Sequence, residues 1–521
     1  MVDLREYPWT VTLTLLFIHL IVRRLWVAKR SARLPLPPGP KGRPVVGNLS
    51  DVAVSERAAN HYSNLANQYG DLVYLESLGT KILLVSSLKR ALDLFERRST
   101  IYSDRPHFPM LSGEMGYDAY FSMMRYDSMW RKQRREFHLH FNPTVVNRYH
   151  PVMLDERIAF LKDILSNPSG YRERSKSYFT GVIIRTIYGI KPKGNDDPLI
   201  TQPNETTTGF SIAGRTGSFF VDLIPALTYV PDWMPGTGWK KIAKYYRDMS
   251  LTSRVTPFKL VQNLMEQETA TPCVVSRMIE KLPDETDPDY AEAYTVAQDT
   301  SAVAYVAGSD TSFGGGMTFF LMLAMNPEVQ KRAQEEIDEV IGFGRLPDFS
   351  DRPQLVYLDA LLKEIFRWHQ TLPLGVPHAT SEDDVYDGYF IPKGTVVIGN
   401  ALHILHDPEL YPDPYKFDPD RYIKDGKINK EVANPYSAAF GFGRRICPGR
   451  HMSLDSIYAM VSATLAIFDI SPPKDGNGNT IPVKPIFSDG LLSHPDPFEL
   501  VIKPRSDRHK QFLETLTASD A

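Results

Sequence analysis

Phe440-Gly441-Phe442-Gly443-Arg444-Arg445-Ile446-Cys447-Pro448-Gly449 sets a single cysteine in a glycine-rich loop that leads, after Arg450, into an apolar-periodic helix. A cysteine at or near a helix N-terminus with arginines beside it is pushed toward thiolate, the metal-ligating form. Gly443 and Gly449 supply unusual backbone angles and let amide groups approach the sulfur closely, while Phe440 can shield it from water. The other cysteine, Cys273, follows Thr271-Pro272 with no His or Cys near it and reads as an ordinary thiol. Two cysteines are the wrong arithmetic for a disulfide framework and suggest that the bulk of the chain lives in a reducing compartment.

The chain around this loop has 521 residues, enough for two domains or one unusually large one. With 42% hydrophobic and 23% charged residues it is a folded, globular composition. A net charge of -3 from 59 basic and 62 acidic residues gives no global attraction to nucleic acid or to an anionic surface. Helical periodicity dominates. The longest predicted helix runs from about Ala291 to Met325, is stopped by Asn326-Pro327, and at 1.5 Å per residue spans about 50 Å, so it is a partly buried spine. It contains Ala307-Gly308-Ser309-Asp310-Thr311 and Gly314-Gly315-Gly316, types that cost helix stability unless packing or function compensates. Short strands are expected at Val73-Tyr74-Leu75 and Lys81 to Val85 around a turn at Gly79, and at Gly394 to Ile398. The fold class is mainly α with a small β-rich part.

Near the N-terminus, Trp9 to Val22 is nearly all apolar and is followed by Arg23-Arg24, Lys29-Arg30 and Arg33. With interfacial Tyr7, Trp9 and Trp26 and snorkelling arginines, about Tyr7 to Val27 reads as a membrane-anchor helix. Acidic Asp3 and Glu6 precede the apolar run, the reverse of a signal peptide. The positive-inside rule puts the body in the cytoplasm, which leaves the sequons at Asn48 and Asn204 unused. The proline-rich stretch 34–47 reads as a stiff spacer holding the body off the bilayer. The expected organisation is therefore an anchor with basic flank (1–33), a hinge (34–47), a catalytic body (48–505) and a polar, solvated C-terminal tail (506–521).

The cysteine loop resembles that of the cytochrome P-450 superfamily, which has Phe, Gly, Arg, Cys and Gly at the positions of Phe440, Gly443, Arg445, Cys447 and Gly449. Further motifs of that family follow the same order, so the resemblance covers essentially the whole chain. It implies the cytochrome P-450 fold, with the long helix over a haem b whose iron Cys447 ligates. Glu364 and Arg367, three apart on a predicted helix, share a face. The resemblance has Arg421, in Phe417-Asp418-Pro419-Asp420-Arg421-Tyr422, complete a buried structural network with them. Trp130 and Arg134, at i, i+4 spacing, are implied to reach a haem propionate, with Arg445 and His378 as the other propionate partners.

Thiolate ligation favours cleavage of the O–O bond, which implies oxygen activation. Asp310-Thr311 matches the family's acid-threonine pair for relaying protons, and Gly308 is expected to leave room for oxygen and substrate. The implied activity is a monooxygenase that inserts one atom of O2 into a hydrophobic small molecule. With no convincing dinucleotide fingerprint, electrons would come from a separate NADPH-cytochrome P-450 reductase, for which Arg131, Lys132, Arg135, Arg444 and Arg450 could form a basic docking face. Pocket segments assigned by family position are His107 to Met124, Gly209 to Trp233, Leu372 to Val376 and Phe487 to Leu492. The stretch Val221 to Leu227 with Pro231 to Gly236 is similar to fungal members near the O-methylsterigmatocystin oxidoreductase group. It suggests an endoplasmic-reticulum enzyme of secondary metabolism, with a terpenoid as one candidate substrate. The rival readings are a haem-thiolate isomerase or dehydratase, against which the intact Asp310-Thr311 counts, and a membrane-tethered haem sensor.

Overall fold

From Val296 onward nearly every face of the spine carries apolar or small side chains, a pattern that forces burial. In the computed structural model Tyr290–Met325 is one 36-residue α-helix, 25 of whose residues are buried. The structure describes residues 34–52, 57–194, 197–215 and 217–517. The spine ends where Asn326 leaves helical geometry, with its side-chain amide donating to the Met322 carbonyl at 2.8 Å, and Pro327 starts the next helix.

The longer helices are α1 (Ala58–Tyr69), α2 (Ser128–Phe141), α3 (His150–Ser166), α4 (Tyr171–Tyr188), α5 (Pro198–Ala213), α6 (Gly238–Glu266), α7 (the spine, Tyr290–Met325), α8 (Pro327–Val340), α9 (Val356–Trp368), α10 (Arg450–Ile467) and α11 (Asp507–Thr515). The spine packs against α2, α4, α5, α6 and α10. Several of its glycines leave room for side chains of α4 and α10. A Cβ on Gly315 would lie 2.8 Å from Ile457 of α10, and one on Gly316 would lie 2.7 Å from Phe179 of α4. At Gly308 a Cβ would lie 2.8 Å from Ile183 of α4, so glycine there lets the spine and α4 approach closely.

The β-rich part is a small sheet of strands β1 (Leu72–Ser77), β2 (Thr80–Val85), β3 (His378–Ala379) and, after the hairpin of β4 (Asp384–Tyr386) and β5 (Tyr389–Ile391), β6 (Val396–Gly399). Its order is β1-β2-β6-β3, with β2 and β6 parallel and Ile82 beside Val396. Leu78 and Gly79 both take positive φ (48° and 86°) in the two-residue turn between β1 and β2, the geometry that matches the strand twist. All three expected strands form, with bounds shifted by no more than two residues.

Two expectations about the ends are corrected. The proline stretch does not stand off as a free spacer: Phe390 N donates to Pro35 O and Tyr74 N to Pro38 O, both at 2.8 Å, and Gly39 lies where a Cβ would meet Tyr74 O. The C-terminal stretch is not a solvated tail, because α11 buries Leu513 against the main core and Leu516 follows it in. The anchor at 1–33 lies outside the described residues. Among the described residues no helix is long and apolar enough to cross a membrane.

Candidate active site

Cys447 lies just ahead of α10, on a loop whose shape its glycines allow. Gly441 and Gly443 have φ of 75° and 56°, and a Cβ on Gly443 would lie 2.0 Å from the Phe95 carbonyl oxygen. Cys447 N donates to Phe440 O at 2.8 Å and Arg450 donates to Cys447 O at 3.0 Å, closing the loop on itself. The thiol departs from the sequence expectation. Burial pushes it up, and the Gly449 amide, Arg134 and Arg450 only oppose that shift. Local charge alone therefore does not make Cys447 a thiolate, and a metal ion would have to draw off the proton.

Cys447 and Phe440 line one large cavity with Trp130 and Arg134 of α2, Gly308 and Thr311 of α7, His378 of β3, and Arg445 and Gly449 of the loop. Of the expected pocket segments, 107–124 contributes Tyr117, Tyr120, Phe121 and Ser122, and 372–376 contributes Leu372, Leu374, Gly375 and Val376. From 209–233 only Phe210 lines it, and from 487–492 only Leu492. Much of the rest of 209–233 faces outward, with Tyr229 and Trp233 89% and 81% exposed.

One wall gathers positive charge. Arg445 donates to the carbonyls of Ser103, Phe121 and Met124 at 2.8 to 3.0 Å. Arg134 donates to Ile446 O at 2.5 Å. Arg105, which no sequence motif singled out, donates to Ser122 O, Val376 O and Pro377 O and lines the same wall. Burial pushes Arg445 down to about 9 and Arg134 to about 10, and Arg105 is held well below its usual range by burial and the neighbouring Arg445. His378 is driven toward neutrality by burial and Arg105, with Nδ1 on the Tyr102 carbonyl at 2.7 Å. The buried indole Nε1 of Trp130 has no hydrogen-bond partner among the described residues. An orphaned donor beside guanidiniums short of counter-charge calls for an anionic ligand. Haem fits this donor set: a thiol on the loop, apolar walls for the macrocycle, and cations for two carboxylates.

Glu364 and Arg367 of α9 are both fully buried and joined by two hydrogen bonds, Nε to Oε2 at 2.7 Å and Nη2 to Oε1 at 2.8 Å. Arg421 Nε adds a third at 3.2 Å and the Asp418 amide a fourth at 2.8 Å. Two segments distant in sequence, 364–367 and 418–421, are thus held together around one carboxylate. The pair Asp310-Thr311 is split. Thr311 lines the cavity and its hydroxyl bonds back to Ala307 O at 2.7 Å, whereas Asp310 lies outside the lining and bonds His494. In the basic face, Arg131 and Arg444 flank the Tyr126 ring at 5.7 and 5.2 Å, Lys132 is paired with Glu292, and Arg450 is engaged by the loop. Cys273, as expected, is ordinary: buried, it caps the short helix Val274–Ile279.

Residues 37–502 match the cytochrome P450 family model. The chain is 40% identical to the cytochrome P450 monooxygenase COX1 of Coprinopsis cinerea over 92% of this chain and 93% of that one. It is 38% identical to a cytochrome P450 monooxygenase of Armillaria gallica over 97% and 98% of the two chains, and 38% identical to cytochrome P450 monooxygenase 208 of Postia placenta over 94% of each. With this match along nearly its whole length and a cysteine-bearing cavity suited to haem, the chain belongs to the cytochrome P450 family of monooxygenases.

Proposed function

We propose that this enzyme inserts one oxygen atom of O2 into a hydrophobic small molecule of fungal secondary metabolism, with Cys447 as axial ligand of haem b and electrons from an NADPH-dependent reductase. The observation that carries the reading is a single cavity holding the thiol of Cys447, a cluster of under-balanced cations and otherwise apolar walls. When bound, the haem supplies the oxygen activation, a reaction class set by its thiolate ligand. The protein's part is to hold the ring and exclude water. Trp130, Arg134, His378 and Arg445, with Arg105, would take the propionates, and Phe440 would cover the ligand side. Glu364, Arg367 and Arg421 would brace the loop segment.

Apolar lining from Phe210, Val303, Ala304 and Leu492 supports a hydrophobic substrate, and a terpenoid is the class to try first. Arg131 and Arg444, exposed beside Tyr126, support a docking face for an acidic reductase surface. Residues 1–33 would anchor the body to the endoplasmic-reticulum membrane, with the packed body from residue 34 through α11 as the catalytic unit on the cytoplasmic side.

The carbon monoxide difference spectrum of the reduced protein tests the assignment. A red-shifted Soret band that disappears in Cys447→Ser supports thiolate ligation, and its absence from folded, haem-loaded wild type would overturn it. Turnover that requires NADPH and reductase separates the monooxygenase from an isomerase, which needs no external electrons, and from a sensor, which has no turnover.

A further inference from the structure

A groove of about 590 Å³ lies between α3, the loop 344–350 and the end of α11, and it shares no lining residue with the haem cavity. Leu154, Leu346, Phe349, Phe512 and Leu516 give it apolar walls. His150, also in the lining, stacks on Phe349 with ring centroids 3.5 Å apart and places Nε2 2.9 Å from Asp455 Oδ2. The lining also holds a buried cation, Arg157 of α3, which is only 2% exposed.

Arg157 is short of partners for a buried guanidinium. Its Nη1 donates to the Pro347 carbonyl, while Nε has no partner and the side chain forms no ion pair among the described residues. The acids of the neighbouring loop are engaged elsewhere. Asp351 holds Arg345 through two bonds of 2.6 Å and accepts from the Asp348 amide at 2.8 Å. Asp348 Oδ1 accepts from the Ser350 amide and hydroxyl at 2.7 and 2.6 Å, and its Oδ2 lies 3.9 Å from Arg345. Arg345 thus has its counter-charge in contact and Arg157 does not. Burial pushes Arg157 down to about 10 against the opposing pull of Tyr178, Asp348, Tyr458 and Asp351. A buried guanidinium with an orphaned N–H stays costly until an anion completes it. Its planar fork suits a carboxylate, and one unmatched positive charge suits one negative charge; a phosphate, with nearly two, would face Asp348 with charge left over.

We propose that this groove is a second ligand site, which binds a carboxylate-headed amphiphile with its head on Arg157 and its apolar body against Phe349, Phe512 and Leu516. The size and the mix of apolar walls with one charged group match small-molecule sites in general. The site stands independently of the haem reading. Two contacts tie it to α10, the helix that begins just after Cys447: Tyr458 donates to Asp348 O at 2.8 Å, and Asp455 meets His150. A ligand that braces the 344–350 loop therefore also braces the packing of α10, and by mass action it stabilises the folded chain.

Dodecanoate labelled with 13C at the carboxyl group, titrated into the haem-loaded, carbon-monoxide-bound full chain, tests the site. One saturable resonance is expected, protonating at lower pH than the free acid because a guanidinium favours the charged form. In the oxidised protein, filling the groove should leave the Soret band unmoved, which separates it from entry into the haem cavity. Arg157→Leu should weaken binding by about 10- to 100-fold, the worth of a hydrogen bond to a charged group. Leu154→Trp, which fills the groove with Arg157 intact, should abolish it. With dodecanoate at about 100 times its Kd, wild type should melt about 3 °C higher, and neither variant should gain as much at that concentration. Dodecanol, which lacks the charge, should bind at least about 10-fold more weakly. Undiminished dodecanoate binding in both variants, or dodecanol bound as tightly as dodecanoate, would overturn the site, and tighter binding of dodecyl phosphate would overturn its assignment to a carboxylate.

Discussion

Removing the Glu364 side chain is the sharpest test of how the cysteine-bearing part of the fold is held. In Glu364→Ala the fully buried Arg367 keeps its bonds to the carbonyls of Leu405, Pro414 and Lys416 but loses both carboxylate contacts, and Arg421 loses a third. Breaking a buried pair from one side leaves an uncompensated charge, a loss of about 3–5 kcal/mol. That is a large share of a total stability of roughly 5–15 kcal/mol. At about 2 cal/mol/K of unfolding entropy per residue, a chain of this size loses about 1 kcal/mol per kelvin, so the melting temperature should fall by about 3–5 °C. Calorimetry on the haem-loaded protein, with the carbon monoxide band as a second probe, reads both the fall and any earlier loss of ligation. The double variant Glu364→Leu with Arg367→Leu removes both charges and should recover much of the loss. A drop under about 1 kcal/mol in Glu364→Ala, or a double variant worse than the single one, would refute the account of a charge network whose members depend on each other.

Three other expectations follow from single contacts. Trp130→Phe deletes an indole N–H that has no partner among the described residues, so haem-free stability should not fall, while haem dissociation should quicken by about 10-fold if that donor serves the ligand. Asp222 accepts a hydrogen bond from Met110 N at 2.9 Å and is pushed up to about 7 by burial, which the Met110 bond only partly offsets. Its folded-state value is thus raised, so the stability it contributes is present at acid pH and is lost as pH rises through about 7; Asp222→Asn should flatten that fall in a pH series of melting temperatures. Gly308→Ala should push Ile183, whose Cδ1 would lie 2.8 Å from the new Cβ, toward the cavity. The helix gains about 1 kcal/mol from alanine, offsetting the crowding, so product profile rather than melting temperature should change.

Contiguous features were legible in the sequence. The cysteine loop could be read because glycine is required where Gly443 abuts the Phe95 carbonyl, and because Arg445 and Cys447 are covalently near each other. The spine was readable from its length and uniform apolarity, and it was found within one residue at its start. Helical spacing put Glu364 and Arg367 on one face, whereas their burial in a charge network was implied only by the family resemblance. By contrast, Arg105 carried no signal, because it meets Arg445 only after the strands and the loop have packed. The polar composition of the last residues suggested a tail, since one buried leucine in a short helix leaves little periodicity. Gly308 lines the cavity, but its close approach to Ile183 of another helix carried no local signal.

The sequence by itself determined the iron-ligating candidate, the mainly helical class and the family, because motifs a few residues long are written by chain connectivity and helical repeat. Only the tertiary structure decided which way Asp310 turns. Its partner His494 lies 184 residues away, and Lys176 belongs to another helix. The same is true of the cation wall, where Arg445 bonds Phe121 across 324 residues and Arg134 bonds Ile446 across 312. Such meetings are set by how helices and strands pack, and side chains that converge only through packing leave no local pattern in the sequence.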